Sequence, residues 1–369
     1  MQAGGKESIS RSALNEREKR SNRILEVDLT MPELEMIAKR LVGPGKGILA
    51  ADESFPSIAK RFEALGIPST EETRLAYRDM LLTSRGMEEY VSGVILFDET
   101  IRQKRRDGTS FIQLLERRGI VPGIKVDKGV VPLTGSPEET STEGLDGLRV
   151  RLRDYQALGA RFTKWRAVIR VGDNIPTMNC IVTNAHSLAR FAALSQECDL
   201  LPIVEAEVLM EGNHSLARCF EVTERTLHAV FEALFQHQVI PERMLLKPNM
   251  VVPGTGHESQ TAIADVASAT LRCLRRVVPA AVPGIVFLSG GQSESQATAH
   301  LNAMNQISGP PWVLSFSYGR ALQSAAMKAW GGRDENVATA QAAFVHRARL
   351  NSMAQQGRYD PSMERDSAA

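Results

Sequence analysis

From position 46 onward the chain alternates short, β-branched apolar runs with segments whose apolar residues recur at helical spacing. Eight runs read as strands: 47–52 (GILAAD), 91–97 (VSGVILF), 121–126 (VPGIKV), 161–169 (RFTKWRAVI), 200–208 (LLPIVEAEV), 243–248 (RMLLKP), 284–290 (GIVFLSG) and 312–317 (WVLSFS). Between them lie amphipathic patterns such as Leu145, Leu148, Leu152, Tyr155 and Leu158, or Leu188, Phe191, Ala192 and Leu194. Strand then helix, repeated eight times, predicts an α/β chain folded as a single (β/α)8 (TIM) barrel. The span is close to the roughly 250 residues such a barrel takes, which favours one domain over two. The longer gap at 53–90 predicts two helices, one led by Ser54, Ser57 and Ile58, the other capped at Ser69-Thr70-Glu71-Glu72. Residues 1–30 read as a polar, partly helical N-terminal extension, 31–356 as the barrel and 357–369 as a polar C-terminal tail.

Composition narrows the partners. Of 369 residues, 44 are Lys or Arg and 43 Asp or Glu, a formal net charge of +1. That balance argues against nucleic acid or an anionic membrane as the main partner, since either favours a strong basic excess. The four cysteines, Cys180, Cys198, Cys219 and Cys273, form no C-x-x-C pair, so neither a disulfide framework nor a zinc ribbon is indicated. No apolar run approaches a membrane span, and the first thirty residues mix acids with bases where a signal peptide would have a basic then an apolar stretch. The expectation is a cytoplasmic protein.

In this fold, chemistry sits at the C-terminal ends of the strands, and here those ends are unusually polar. Strand one ends in Asp52-Glu53-Ser54 and two in Asp98-Glu99; three carries Lys125 and Asp127, and four Lys164 and Arg166. Five carries Glu205 and Glu207, six Lys247, seven Ser289-Gly290-Gly291 and eight Ser317-Tyr318-Gly319-Arg320. Residues i and i+2 of a strand share a face, so Lys164 with Arg166, and Glu205 with Glu207, can enter one pocket. A single such pair is as readily an internal salt bridge. Three lysines and three carboxylates from five strands are harder to assign to structure alone, because buried ions are costly unless paired.

Lys247, in the apolar strand LLKP, is the candidate nucleophile. An imine forms from a neutral amine, so the ammonium must be discouraged by desolvation and a neighbouring cation, for which Lys164 is the candidate. Glu205, Glu207 and Asp52 suit proton transfer at a carbinolamine, an imine or a substrate hydroxyl, and spacing does not rank the three. Ser289-Gly290-Gly291 and Ser317-Tyr318-Gly319-Arg320 offer hydroxyls, backbone N–H groups and a guanidinium, at the loops where this fold usually binds phosphate. Among the histidines, His186, His228, His237, His300 and His346 fall in helical segments and His214 and His257 in loops, with no metal-ligand pair at a strand end. The basic run 102–106 reads as a solvated loop and helix start, and Gly43-Pro44-Gly45-Lys46-Gly47 as a turn before a strand, not a phosphate-binding loop after one.

These segments resemble the class I, Schiff-base-forming fructose-bisphosphate aldolases across nearly the whole barrel: KGILAADES, GVILFDETI, GIKVDKGVVPL, FTKWRAVI, IVEAEVL, LLKPNMV, FLSGGQS and FSYGRALQ followed by KAWGG. The resemblance implies that Lys247 forms the imine, Glu205 is the acid/base of carbinolamine chemistry and Asp52 acts on the hydroxyl where the C–C bond breaks. It gives Lys164 a catalytic and substrate-binding role, with Arg166 and Glu207 in support. It further implies that Ser289, Gly290, Gly319 and Arg320 hold the phosphate of the dihydroxyacetone half, beside the strand-end candidate Ser317, and Ser54, Ser57 and Lys125 the other phosphate. Glycolysis and gluconeogenesis, small-molecule sugar phosphates as partners, a homotetramer and no metal or other cofactor are implied as well.

Three departures stand out. Phe55-Pro56 occupies the place of the Thr-Gly usual in animal members, Ala206 that of a proline common between the two glutamates, and the chain ends at Ser367-Ala368-Ala369 with no terminal tyrosine. The alternatives are a related Schiff-base aldolase preferring fructose 1-phosphate or sedoheptulose 1,7-bisphosphate, and an added scaffold role for the chain.

Overall fold

The structure is a computed structural model that describes residues 32–258 and 261–368, so the expected extension at 1–30 lies outside the described residues. The first described element is α1, Glu33–Leu41, followed by β1, Gly47–Ala51, and the helices α2, Phe55–Glu63, and α3, Glu71–Leu82. Next come β2 (Val91–Leu96), α4 (Asp98–Arg102), α5 (Phe111–Arg117), β3 (Val121–Lys125), β4 (Val130–Leu133) and β5 (Ser136–Thr142). The middle holds α6 (Leu148–Leu158), β6 (Phe162–Ile169), α7 (Met178–Glu197), β7 (Leu201–Val208), α8 (Leu216–Gln236) and β8 (Leu245–Pro248). The last third holds α9 (Ile263–Val277), β9 (Gly284–Phe287), α10 (Glu294–Gln306), β10 (Val313–Tyr318), α11 (Arg320–Trp330) and α12 (Val337–Gln355).

Eight strands close into a parallel barrel in the order β1-β10-β9-β8-β7-β6-β3-β2. These are the eight runs expected, with shifted ends: the seventh stops at Phe287 because the chain turns away at Gly290 and Gly291, both at positive φ (56° and 92°) that favours glycine. Both helices expected in the 53–90 gap are present, and Thr70 closes a capping box with Thr73 at the start of α3. Arg102 ends α4 instead of opening a helix, and two of the run's arginines are paired: Arg102 with Asp98 and Asp154, Arg105 with Asp79 and Asp107.

Two elements were not anticipated. The antiparallel pair β4 and β5 lies over the outer side of β6, where Thr142 Oγ1 donates to the Arg166 carbonyl at 2.8 Å. Helix α1 turns Leu34, Ile37, Ala38 and Leu41 into the foot of the barrel, against Ile48, Ile95, Val121, Phe162, Leu201 and Leu245. That apolar floor needs room. A Cβ on Gly123 would stand 2.2 Å from the Phe162 ring, and one on Gly93 2.4 Å from Leu41. With the foot filled by hydrocarbon, the charged residues of the strands gather at the opposite, C-terminal mouth.

The chain end, read from sequence as a polar tail, packs on the outer helices. Buried Tyr359 donates to Glu364 Oε1 at 2.8 Å, Arg347 reaches Glu364 Oε2 at 2.5 Å, and Pro361–Ala368 forms a 3-10 helix. Among the described residues, no helix is long and apolar enough to cross a membrane. The four cysteines are free and buried, and burial pushes the thiols of Cys180 and Cys273 up to about 12.

Candidate active site

Strand register determines which charges meet. Lys125 on β3 is level with Lys164 on β6, Arg166 is level with Glu205 on β7, and Glu205 with Lys247 on β8. All of them open on one cavity of about 1270 Å³ at the mouth of the barrel. Asp52, Ser54, Ser57, Glu207, Ser289, Gly290, Ser317, Gly319 and Arg320 line the same cavity, whereas Glu99, Gly291 and Tyr318, also named at strand ends, do not.

At the base of the cavity Lys164, Glu205 and Lys247 are each 3% exposed. Lys164 Nζ lies 2.6 Å from Asp52 Oδ2 and 3.2 Å from Glu205 Oε2, while Lys247 Nζ lies 3.2 Å from Glu205 Oε1. Glu205 therefore stands between two ammoniums. The cation expected beside Lys247 is present, but a carboxylate shared by both lysines intervenes. Burial by itself would raise the pKa of Asp52, but the ammoniums of Lys164, Lys247 and Lys125 outweigh it and lower the value to about 2. Glu205 is likewise lowered: its burial acts upward, and Lys164, Lys247 and Arg166 overcome it. Lys164 is raised, because Asp52 and Glu205 more than offset the cost of burying its charge.

The i, i+2 alternation sends Arg166 and Glu207 to the cavity as a pair, Nε to Oε2 at 2.6 Å. Lys125 is held by Asp127 at 2.6 Å, and the other Asp127 oxygen accepts from the Arg166 backbone N–H at 3.2 Å. Asp127 thus steadies two candidate ligand groups. Glu53, beside Asp52, turns away from the base: it pairs with Arg61 and with Arg78 (2.7 Å), and accepts from Gln323 Nε2 at 3.0 Å.

The cavity lining also carries hydroxyls and helix starts suited to an anionic group. At one end, Ser317 Oγ is buried with no hydrogen-bond partner, and α11 begins beside it at Gly319, a position with no side chain to cap the helix N-terminus. The turn Ser289-Gly290-Gly291-Gln292 completes that end, its geometry held by Gln292, which donates to the Ser289 carbonyl at 3.0 Å and bonds His300 Nδ1 at 2.6 Å. His300 was assigned from sequence only to a helix face, and burial lowers its pKa to about 4. Ser54 Oγ and Ser57 Oγ, also on the lining, hydrogen-bond to each other at 3.1 Å at the start of α2, and Ser54, the N-cap residue, makes no capping bond with its side chain. Arg102, Arg151, Lys60 and Arg61 line the same cavity; they lie on helices, not at strand ends, so the strand pattern in the sequence does not mark them.

Among the described residues, no group of three or more His, Cys, Asp or Glu side chains is arranged to hold a metal ion. His186 and His237 approach to 3.2 Å between ring nitrogens, but on outer helices away from the cavity, with His237 just past the end of α8.

Comparison with known proteins agrees with this arrangement. The family model for class-I fructose-bisphosphate aldolase matches residues 33–369. The chain is 53% identical to a probable fructose-bisphosphate aldolase class 1 of Xanthomonas campestris, over 90% of this chain and 99% of that one. It is 51% identical to a fructose-bisphosphate aldolase of Dictyostelium discoideum, over 89% and 92% of the two chains. Among solved structures, a ternary complex of the Plasmodium falciparum fructose-bisphosphate aldolase with TRAP and a small-molecule inhibitor superposes with a TM-score of 0.87, at 47% identity, covering 89% of this chain and 95% of that one.

Proposed function

The chain belongs to the class I fructose-bisphosphate aldolases, and from that premise we propose that it cleaves fructose 1,6-bisphosphate reversibly to dihydroxyacetone phosphate and glyceraldehyde 3-phosphate through an imine on Lys247. The observation that carries the proposal is Glu205, 3.2 Å from both Lys247 and Lys164 in a buried site. The lysine amine attacks the ketone to give a carbinolamine. Glu205 begins ionised, takes a proton released at Lys247 and returns it to the departing hydroxyl, leaving the imine. The imine accepts the electron pair of the breaking C–C bond as an enamine, while ionised Asp52 takes the proton from the hydroxyl that becomes the aldehyde. Lys164, held by both carboxylates, keeps them charged and oriented, and Arg166 with Glu207 supports the adjacent wall.

Ser289, Gly290, Ser317, Gly319 and Arg320 hold the phosphate of the dihydroxyacetone half, a role supported by the unpartnered Ser317 hydroxyl and the uncapped start of α11. Ser54, Ser57 and Lys125 hold the other phosphate, supported by their place on the lining of the same cavity. The reading carries with it a role in glycolysis and gluconeogenesis, a cytoplasmic location and a homotetramer. The tetramer draws support from exposed Val150, Met178, Val182 and Phe235 on the adjacent outer helices α6, α7 and α8.

A coupled assay of triose phosphate release from fructose 1,6-bisphosphate, with and without a chelator, tests the proposal. Activity is expected to persist in chelator and to disappear in Lys247→Met. Activity abolished by the chelator would overturn the imine route. Because the cavity is larger than the roughly 300–1,000 Å³ of most small-molecule sites, fructose 1-phosphate and sedoheptulose 1,7-bisphosphate belong in the same assay.

A further inference from the structure

Resting on that reading, we propose that Phe55 is a positioning residue that locks the lip carrying Ser54 and Ser57, and so sets the preference for a bisphosphate over a monophosphate ketose. Phe55 opens α2 and is 48% exposed, so core burial does not account for an aromatic ring there. The ring is nevertheless held on two sides. Its edge meets Phe97 at 5.2 Å between centroids and 83° between planes, and the Arg74 guanidinium lies 4.7 Å from its centroid.

Arg74 is itself fixed. Its Nε and Nη2 fork onto Glu99 at 2.8 and 2.6 Å, and its Nη1 donates to the Ser69 carbonyl at 3.1 Å. Glu99 lies in α4 and Phe97 immediately precedes that helix, so the first turn of α2 is tied at once to α3 and to the end of β2. Pro56, at the next position, fixes its own φ and stiffens the same turn. Phe97, Pro56, Ser54 and Ser57 line the cavity, whereas Phe55 does not. Phe55 therefore acts through its neighbours: it fixes the turn that presents the two hydroxyls to the cavity that Lys125 also lines. A ligand with one phosphate at the Ser289 and Arg320 end does not use that lip, and a ligand with two does.

The test measures kcat and KM for fructose 1,6-bisphosphate and fructose 1-phosphate in the full-length protein and in Phe55→Ala, Phe55→Tyr and Arg74→Met. For Phe55→Ala the ratio of bisphosphate to monophosphate kcat/KM is expected to fall about five- to tenfold, mainly through KM for the bisphosphate, the scale an aromatic pair plus an exposed cation–π contact carries. Phe55→Tyr keeps the ratio, and Arg74→Met lowers it in the same direction, which gives a second route should Phe55→Ala fail to fold. An unchanged ratio, or an equal loss on both substrates as a merely structural role would produce, overturns the inference. If the wild-type protein cleaves neither ketose, the aldolase reading itself fails; if it cleaves the bisphosphate and only the ratio is insensitive to Phe55, this inference alone fails.

Discussion

In the proposed route Glu205 has the most demanding task, because it is held in its charged form by its two lysine neighbours yet would have to pass a proton between lysine and hydroxyl. Glu205→Gln keeps the shape and removes the base, so kcat should fall by about 10²–10⁴, with a smaller change in KM, in steady-state assays. Asp52 links the site to stability. Its pKa is lowered from 3.8 to about 2 on folding, so its contribution is present above pH 4 and lost as pH falls through 2, amounting to about 2 kcal/mol. His300 acts in a higher window. Buried and neutral, with a pKa lowered to about 4, it costs the folded state up to about 3 kcal/mol as pH falls from 6.5 to 4, because the unfolded chain binds the proton first. In urea titrations the stability gap between wild type and His300→Gln should narrow over that interval; a constant gap would contradict this account of His300. At this scale the strand-borne residues were legible, since position at a strand end is readable from period-2 alternation. Asp127 and Gln292 in their holding roles, and Arg102 and Arg151 in the wall, were not, because loops and helices converge on the mouth only after the barrel closes.

The elements place the chemistry by filling one end of the barrel and leaving the other open. Phe162 on β6 fills the foot, lying across Gly123 of β3, and α1 closes over it. Gly123→Ala should therefore cost about 1–3 kcal/mol by overpacking, measured by chemical denaturation, with little direct effect on the chemical step. The eight strands were readable as apolar runs between turn signals. Helix α1 also has a readable pattern, with Leu34, Ile37, Ala38 and Leu41 at helical spacing, but what that face would cover depends on a barrel floor assembled from strands far away in sequence. The β4 and β5 pair was obscured for a different reason: β4 is a four-residue strand with Pro132 inside and β5 reads SPEETST, without an aliphatic or aromatic residue, so no apolar alternation marks the pair.

At the scale of the whole molecule, a net charge of +1 conceals a strongly uneven distribution. Lys125, Lys164, Arg166, Lys247 and Arg320 face one cavity, while acids and bases elsewhere largely pair on the surface. The same concentration that suits a doubly phosphorylated sugar is invisible in a total. The proposed homotetramer also belongs to this scale. Light scattering should give about four times the chain mass, and Val182→Glu with Phe235→Glu should reduce it; a monomeric wild type would contradict the proposal. The central claim, a covalent imine on Lys247, has a direct test. The protein is incubated with dihydroxyacetone phosphate, reduced with borohydride, digested and mapped by mass spectrometry. The account predicts a single stable adduct on Lys247 in the wild type and none in Lys247→Met, whereas an adduct on another lysine, or no adduct in an active enzyme, would contradict it.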